Sequence, residues 1–297
     1  MVILINSSIF VPCHITGFFQ IIPDLDPLRK GSRGAGIVLD KGVITDVLIE
    51  DGEGVDVIIN GQNDSKLSSI TFKTIDLINE RFQVDGKKIT INHEFEIPIG
   101  SGFGVSAACA LGTSLAIAKA LKLHLTYNRA ASIAHLAEIE MKSGLGDVIA
   151  EFTGGLVLRL KEGAPGYGRV DRIVPGLTTG KDDYYIISKT LGEIETSSII
   201  EDPFWQKKIN QTGKSLLSEL LDKPDIQNFF KLSRRFAEET SLMGPELKEI
   251  VDILEDETLG ASMAMLGNTA FALSETCDTS LDNVIVSRID DFGCRFL

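Results

Sequence analysis

The chain has 297 residues and a mass of 32.3 kDa, which calls for two domains or one large α/β domain. Its 43% hydrophobic and 24% charged content argues against disorder, and 29 basic against 42 acidic residues leave a formal charge of −13. So acidic a surface repels nucleic acid and anionic membrane, and an anionic ligand would need a locally basic pocket. The four cysteines, Cys13, Cys109, Cys277 and Cys294, show neither CxxC pairing nor metal-ligand spacing, as expected of reduced thiols in a cytosolic protein. The start Met1-Val-Ile-Leu-Ile-Asn lacks a basic n-region and a sustained apolar h-region, so no leader and a cytoplasmic location are expected. Ile97–Ala118 carries no charge over 22 residues, but Pro98 and four glycines crowded toward its start argue against a membrane span.

In chain order, strands come first. Gly36–Leu39 and Val43–Ile49 flank Asp40-Lys-Gly42, a hairpin-type turn signal. Val55–Ile59 and Ile89–His93 read as further strands, with an amphipathic helix over Leu67–Phe82 between them. Ser106–Leu123 is helical and almost apolar, hence buried. Asn128–Lys142 forms the next helix, started by Thr126 or Asn128, and Leu156–Leu160 is a strand. The Gly/Pro-dense stretch Glu162–Gly168 is the best candidate for a domain boundary. Beyond it lie a strand at Tyr184–Ser188 and helices near Pro203–Leu221, Asp225–Leu242 and Pro245–Leu254. Leu259–Leu273 and Val284–Ser287 close the chain, with no internal repeat.

Pro98-Ile-Gly-Ser-Gly-Phe-Gly-Val-Ser-Ala-Ala108 follows a strand and opens a helix. Glycines at alternate positions free the backbone to bend around an anion, and the helix start offers unpaired N–H groups, so phosphate is the expected guest. A Walker loop would need a Gly-Lys-Ser/Thr, yet no lysine follows before Lys119. The dinucleotide fingerprint needs an acidic residue about 20 positions on, and none lies between Glu96 and Glu138. Both readings fail. Residues 97–137 carry only Lys119, Lys122 and Arg129; a polyphosphate site, or a buried helix that excludes all charge, would each produce that gap.

Two carboxylates stand further on. Glu138 lies on the helix after the loop, and Asp147 sits in the glycine-flanked turn Gly144-Leu-Gly-Asp147. Phosphoryl transfer to an alcohol needs an oxygen ligand for the metal and a group to orient or deprotonate the nucleophile, and this pair would supply both. Glu140 competes with Glu138 for the metal role; His135, three residues before Glu138 on the same helix face, favours Glu138. Ser32 and Arg33 in Gly31-Ser-Arg-Gly-Ala-Gly36, read as a second glycine-rich loop, offer a hydroxyl and a forked cation suited to a carboxylate. Arg159 leaves the apolar row of Leu158 and Leu160.

Pro98-x-x-x-Gly-x-Gly-x-Ser-Ala-Ala108 resembles the nucleotide-binding motif of the GHMP kinases, the superfamily of galactokinase, homoserine kinase and mevalonate kinase. Phe103 and Val105 depart from the Gly-Leu-Gly-Ser pattern, while the second serine, Ser106, is kept. The resemblance implies an α+β, two-domain GHMP-kinase-like fold: an N-terminal α/β domain over 1–167 and a ferredoxin-like C-terminal domain over 168–297. It implies ATP on Pro98, Gly100, Ser101, Gly102, Phe103, Gly104, Val105, Ser106, Ala107 and Ala108, Mg²⁺ on Ser106 and Glu138, and Asp147 as the catalytic residue, ahead of the strand that starts Gly154-Gly155.

Pro12-Cys-His-Ile-Thr-Gly-Phe-Phe19, Asp26-Pro-Leu-x-x-Gly-Ser-Arg-Gly-Ala-Gly36 and Gly144-Leu-Gly-Asp147 together resemble the pantoate-phosphorylating branch of that superfamily, known from archaea and the route to coenzyme A. The match implies His14, Ser32, Arg33, His135 and Arg159 as the residues around pantoate, a small carboxylate with a primary alcohol. Ala261–Phe271 occupies the place of the family's third motif but is poor in glycine, and no phosphate contact is assigned to it. The alternatives are mevalonate or homoserine as substrate, or a nucleotide and metabolite sensor without turnover. Assembly is not legible in the sequence; a homodimer is the working expectation.

Overall fold

The computed structural model of the chain describes residues 5–62, 65–84, 86–174, 184–192 and 202–297. Residues 1–4, on which the leader expectation rests, lie outside them. Two long strands rich in β-branched residues, β1 (Ile5–Ile22) and β2 (Gly31–Asp51), run antiparallel over most of their length. β2 is shared. Its second half pairs with β4 (Lys87–Phe95), which pairs in parallel with β3 (Gly54–Ile59). Its first half pairs at Gly34–Ile37 with β5 (Leu156–Lys161), which pairs in turn with β6 (Arg169–Ile173). The sheet therefore forks at the middle of β2. A last strand, β11 (Arg295–Phe296), returns to the outer edge of β1.

Helix α1 (Ser65–Phe82), α2 (Val105–Ala120) and α3 (Tyr127–Met141) cover one face of this sheet. α2 is the centre. It packs on β1 and β2 on one side and on α1 and α3 on the other, and is buried along nearly all its length. Alanines and Gly112 keep it thin: a Cβ at Gly112 would stand 2.3 Å from the Thr45 hydroxyl. Truncating Leu111 or Leu115 there would cost roughly 2–5 kcal/mol. α3 starts at the Thr126 cap, whose hydroxyl accepts the Arg129 N–H at 3.3 Å. α4 (Asp147–Thr153) is a short helix leading into β5.

The second sheet is antiparallel, in the order β10 (Ile285–Ser287), β7 (Tyr185–Gly192), β9 (Asn268–Ser274), β8 (Gly260–Met263). Helices α6 (Ile226–Thr240) and α7 (Pro245–Glu257) pack on it, while α5 (Pro203–Asp222) lies between α6 and β1. A cluster of Phe18, Phe229, Phe236 and Phe271 joins the two sheets across the interface, with ring centroids about 6 Å apart.

Three sequence expectations change. Asp40-Lys-Gly42 makes no hairpin, because β2 continues through it with a register shift opposite Pro12–His14; Gly42 lies against β1, where a Cβ would strike the Val11 carbonyl at 2.2 Å. Gly31–Gly36 is likewise strand, not loop. The turn at 162–168 sits inside the first sheet, between β5 and β6, so the chain changes sheet after Ile173 rather than at Tyr167.

Candidate active site

The glycine loop adopts the conformations its composition allows. Gly102 and Gly104 have φ of 90° and 71°, values that a side chain resists by about 1–2 kcal/mol. Gly104 begins α2 with no side-chain cap, and the first backward helical bond comes from Ala108 N–H to Gly104 C=O at 3.1 Å. The N–H groups of Val105, Ser106 and Ala107 are thus left for a guest. The loop is anchored on two sides. The Phe103 carbonyl accepts the His14 N–H at 3.0 Å, and the Thr269 hydroxyl donates to the Ser101 carbonyl at 2.7 Å. The turn between β8 and β9 backs it so closely that a Cβ on Gly267 would lie 2.2 Å from the Ser101 oxygen. The glycine-poor third motif is therefore a support for the loop. Lys119 and Lys122 sit at the opposite end of α2, Lys119 over the Phe296 ring, so the charge gap in the sequence reflects burial of the helix.

Carboxylates from two other helices converge on the start of α2. Glu138 is 2% exposed and accepts the Ser143 hydroxyl at 2.9 Å and the Ser106 hydroxyl. Burial, then the nearby Asp147 charge, push its carboxyl up to about 8, against the opposing pull of those hydroxyls. Glu140, by contrast, faces out and pairs with Lys73 at 2.5 Å. Asp147 is the first residue of α4 rather than a turn residue, with one carboxylate oxygen 2.8 Å from His14 Nδ1. Burial raises its carboxyl, but the His14 hydrogen bond, helped by the Arg159 charge, more than offsets this and leaves it below the ordinary value. Glu151, one turn further along α4, is fully buried with no hydrogen-bond partner on either oxygen. Burial first, then the charges of Asp147 and Glu138, hold it well above the usual carboxylate range.

The opposite wall comes from the fork in the sheet. His14 (β1), Ser32 (β2) and Arg159 (β5, opposite Gly34) project from one face. Gly36 makes room for them, since a Cβ there would fall 2.1 Å from His14 Nε2. Gly146 does the same between the Ser32 hydroxyl and Arg159 Nε, 2.2 and 2.8 Å from its would-be Cβ. His14 is fully buried; burial lowers its pKa, the Asp147 bond opposing. The ring is therefore neutral near pH 7. It donates from Nδ1 to Asp147, and Nε2 accepts from Arg159 Nη1 at 3.3 Å.

Arg159 is 1% exposed. Its other contact is a long one from Nη2 to the Thr16 hydroxyl at 3.4 Å, its Nε has no partner, and no carboxylate pairs with it among the described residues. A buried guanidinium so poorly satisfied calls for an anion.

Two expected substrate residues lie elsewhere. Arg33 follows Ser32 on a strand and so points to the other face, where its Nε pairs with Glu162 at 2.5 Å. His135 is buried, but its Nε2 meets the carbonyls of Pro27 and Lys30 at 3.1 and 3.0 Å, holding the β1–β2 connection onto α3. It does not share Glu138's polar contacts. Thr16, Ser143 and Glu151 escaped the sequence reading. Thr16 stands two strand residues from His14 and Glu151 four helical residues from Asp147, spacings that become signals once the elements are known.

The GHMP kinases N terminal domain matches residues 69–155. Over 291 residues the chain is 38% identical to the pantoate kinase of Methanocaldococcus jannaschii, covering 94% of this chain and 99% of that one. The chain therefore belongs to the GHMP kinase family. A solved structure described as a phosphotransferase related to the CoA biosynthesis pathway superposes with a TM-score of 0.84 at 32% identity, over 98% of both chains. The mevalonate kinase of Thermococcus gammatolerans is 29% identical over 30% of this chain and 28% of its own.

Proposed function

We infer that the protein is a pantoate kinase: it transfers the γ-phosphoryl group of ATP to the primary hydroxyl of pantoate, giving 4-phosphopantoate and ADP for coenzyme A biosynthesis. The similarity to a pantoate kinase over nearly the full chain supports this reading. The observation that carries it is Arg159, a buried cation without a carboxylate of its own, two hydrogen bonds from Asp147 through His14. A substrate that brings a carboxylate for Arg159 and an alcohol for Asp147 completes the site. Ser32, beside Arg159 over Gly146, would then meet the carboxylate or the secondary hydroxyl.

ATP fits the loop Pro98–Ala108, whose positive-φ glycines and uncapped helix start present backbone N–H groups to phosphate. Among the described residues no three His, Cys, Asp or Glu side chains converge on a metal cage. Mg²⁺ in kinases needs only one or two carboxylates beside the phosphates, and the Ser106 hydroxyl with the Glu138 carboxylate is a hard oxygen pair of that kind. When bound, Mg²⁺ neutralises charge on the phosphate oxygens.

Asp147, ionised and steadied by His14, orients the primary hydroxyl and accepts its proton. The uncapped N–H groups of α2 hold phosphate oxygens, and the β8–β9 turn keeps the loop from yielding. Because the phosphoryl-transfer transition state is loose, positioning and charge neutralisation outweigh base strength.

The test is ADP release from Mg-ATP with pantoate, mevalonate, homoserine and galactose offered separately. Turnover confined to pantoate is expected. Turnover with another member of the panel, or with none, would overturn the substrate reading.

A further inference from the structure

The His14 ring has no hydrogen-bonding position left open. Both ring nitrogens are engaged inside the protein, Nδ1 by Asp147 at 2.8 Å and Nε2 by Arg159 at 3.3 Å. Its backbone N–H is engaged as well, by the Phe103 carbonyl of the glycine loop. The ring is fully buried and lies over Gly36, where any larger residue would displace it. A histidine so placed has nothing left to offer a substrate. It joins three parts of the site: the base, the cation and the phosphate loop.

We propose that His14 is a positioning residue, which fixes Asp147 relative to Arg159 and so sets the separation between the substrate's reacting hydroxyl and its carboxylate. This rests on the proposed roles of Asp147 and Arg159, and replaces the expectation that His14 binds pantoate. The bond to one carboxylate oxygen leaves the other to meet the hydroxyl. Arg159, with no carboxylate partner in the described chain, takes its orientation from Nε2 and Thr16. The selected substrate is then a short hydroxy acid whose alcohol and carboxylate are as far apart as one imidazole allows. A longer acid would seat its carboxylate on Arg159 and carry its hydroxyl past Asp147.

The ring's two contacts can be separated by substitution. Asparagine places an amide N–H where Nδ1 stands and nothing at Nε2. Glutamine reaches the Nε2 position and leaves Asp147 without its donor. With pantoate, His14→Ala is expected to lower kcat by about a hundredfold, the scale of a small misplacement of reacting groups. His14→Asn should recover part of that loss and His14→Gln should not, with KM for ATP unchanged in all three. A rise in the KM for pantoate with kcat preserved would mean that His14 touches substrate and would overturn the proposal. Equal recovery by Asn and Gln would also overturn it, since bulk alone would then suffice.

A second readout needs no turnover, which separates this proposal from the substrate assignment. The ¹⁵N shifts of the His14 ring in the ligand-free wild-type protein should show a protonated Nδ1 and a bare Nε2. An Nε2-protonated ring would break the proposed chain even if pantoate is phosphorylated. The Nδ1-protonated ring would uphold it even if another hydroxy acid proves to be the substrate.

Discussion

On the proposed phosphate side of the site the recognition elements are backbone groups: a loop of left-handed glycines and the bare first turn of α2. On the proposed substrate side they are the side chains of Ser32 and Arg159, tied to the site by His14 and brought with it from three strands that meet where the sheet forks. The first kind of site is written in one contiguous segment, because glycine spacing and the helix start are local. The second depends on strand register and on which face each residue takes, and no single segment contains it. Glycine serves both, differently: in the loop it permits a conformation, while at Gly36 and Gly146 it vacates space for a neighbour's side chain.

The comparison can be broken most sharply at Asp147, which stands between the two sides. Asp147→Asn should lower kcat by about 10²–10⁴-fold, the usual scale for loss of a catalytic base, with little change in nucleotide affinity. Measured kcat within a few-fold of wild type would remove Asp147 from the chemistry. Arg159→Met should follow, with kcat/KM for pantoate falling by about tenfold to more than a hundredfold, the range for a lost charged hydrogen bond of about 1.5–3 kcal/mol. Its ATP affinity should hold. Gly102→Ala probes the other side. Its new Cβ would meet Gly267 Cα at 2.9 Å from a backbone at φ 90°, and about 1–2 kcal/mol of strain should raise the KM for ATP by roughly tenfold. Pantoate binding should be spared. The smallest effect belongs to Arg33→Met, which loses a partly buried ion pair to Glu162 on the other face of the strand and should shift kcat/KM by less than about threefold. A large loss there would put Arg33 back beside the substrate.

The contrast between Arg33 and Arg159 also marks the limit of sequence reading here. Arg33 stands between Ser32 and Gly34 and Arg159 between Leu158 and Leu160, and neither setting alone says which arginine lines the site. Strand alternation turns Arg33 away from Ser32, and the pairing of β5 with β2 turns Arg159 inward. Reading Gly31–Gly36 as a loop hid that alternation; once it is a strand, the two residues cannot share a site. The glycine loop, α2 and α3 are legible because periodicity and glycine spacing are local signals. The preference for Glu138 over Glu140 finds its support in contacts the sequence did not offer, Ser106 and Ser143, while His135 holds the Pro27–Lys30 segment. Glu151 was missed because Asp147 read as a turn residue. With α4 in place, its position one turn along points at the loop.

The proposed division of labour, a carboxylate held by Arg159 while the alcohol meets Asp147, is tested most directly by the product. ³¹P NMR of a reaction with Mg-ATP and pantoate should give a phosphomonoester whose phosphorus couples to two methylene protons, those of the primary carbinol. Coupling to a single proton would place the phosphate on the secondary hydroxyl, and an uncoupled acyl phosphate would place it on the carboxylate. Either result would contradict the orientation that Arg159, His14 and Asp147 impose.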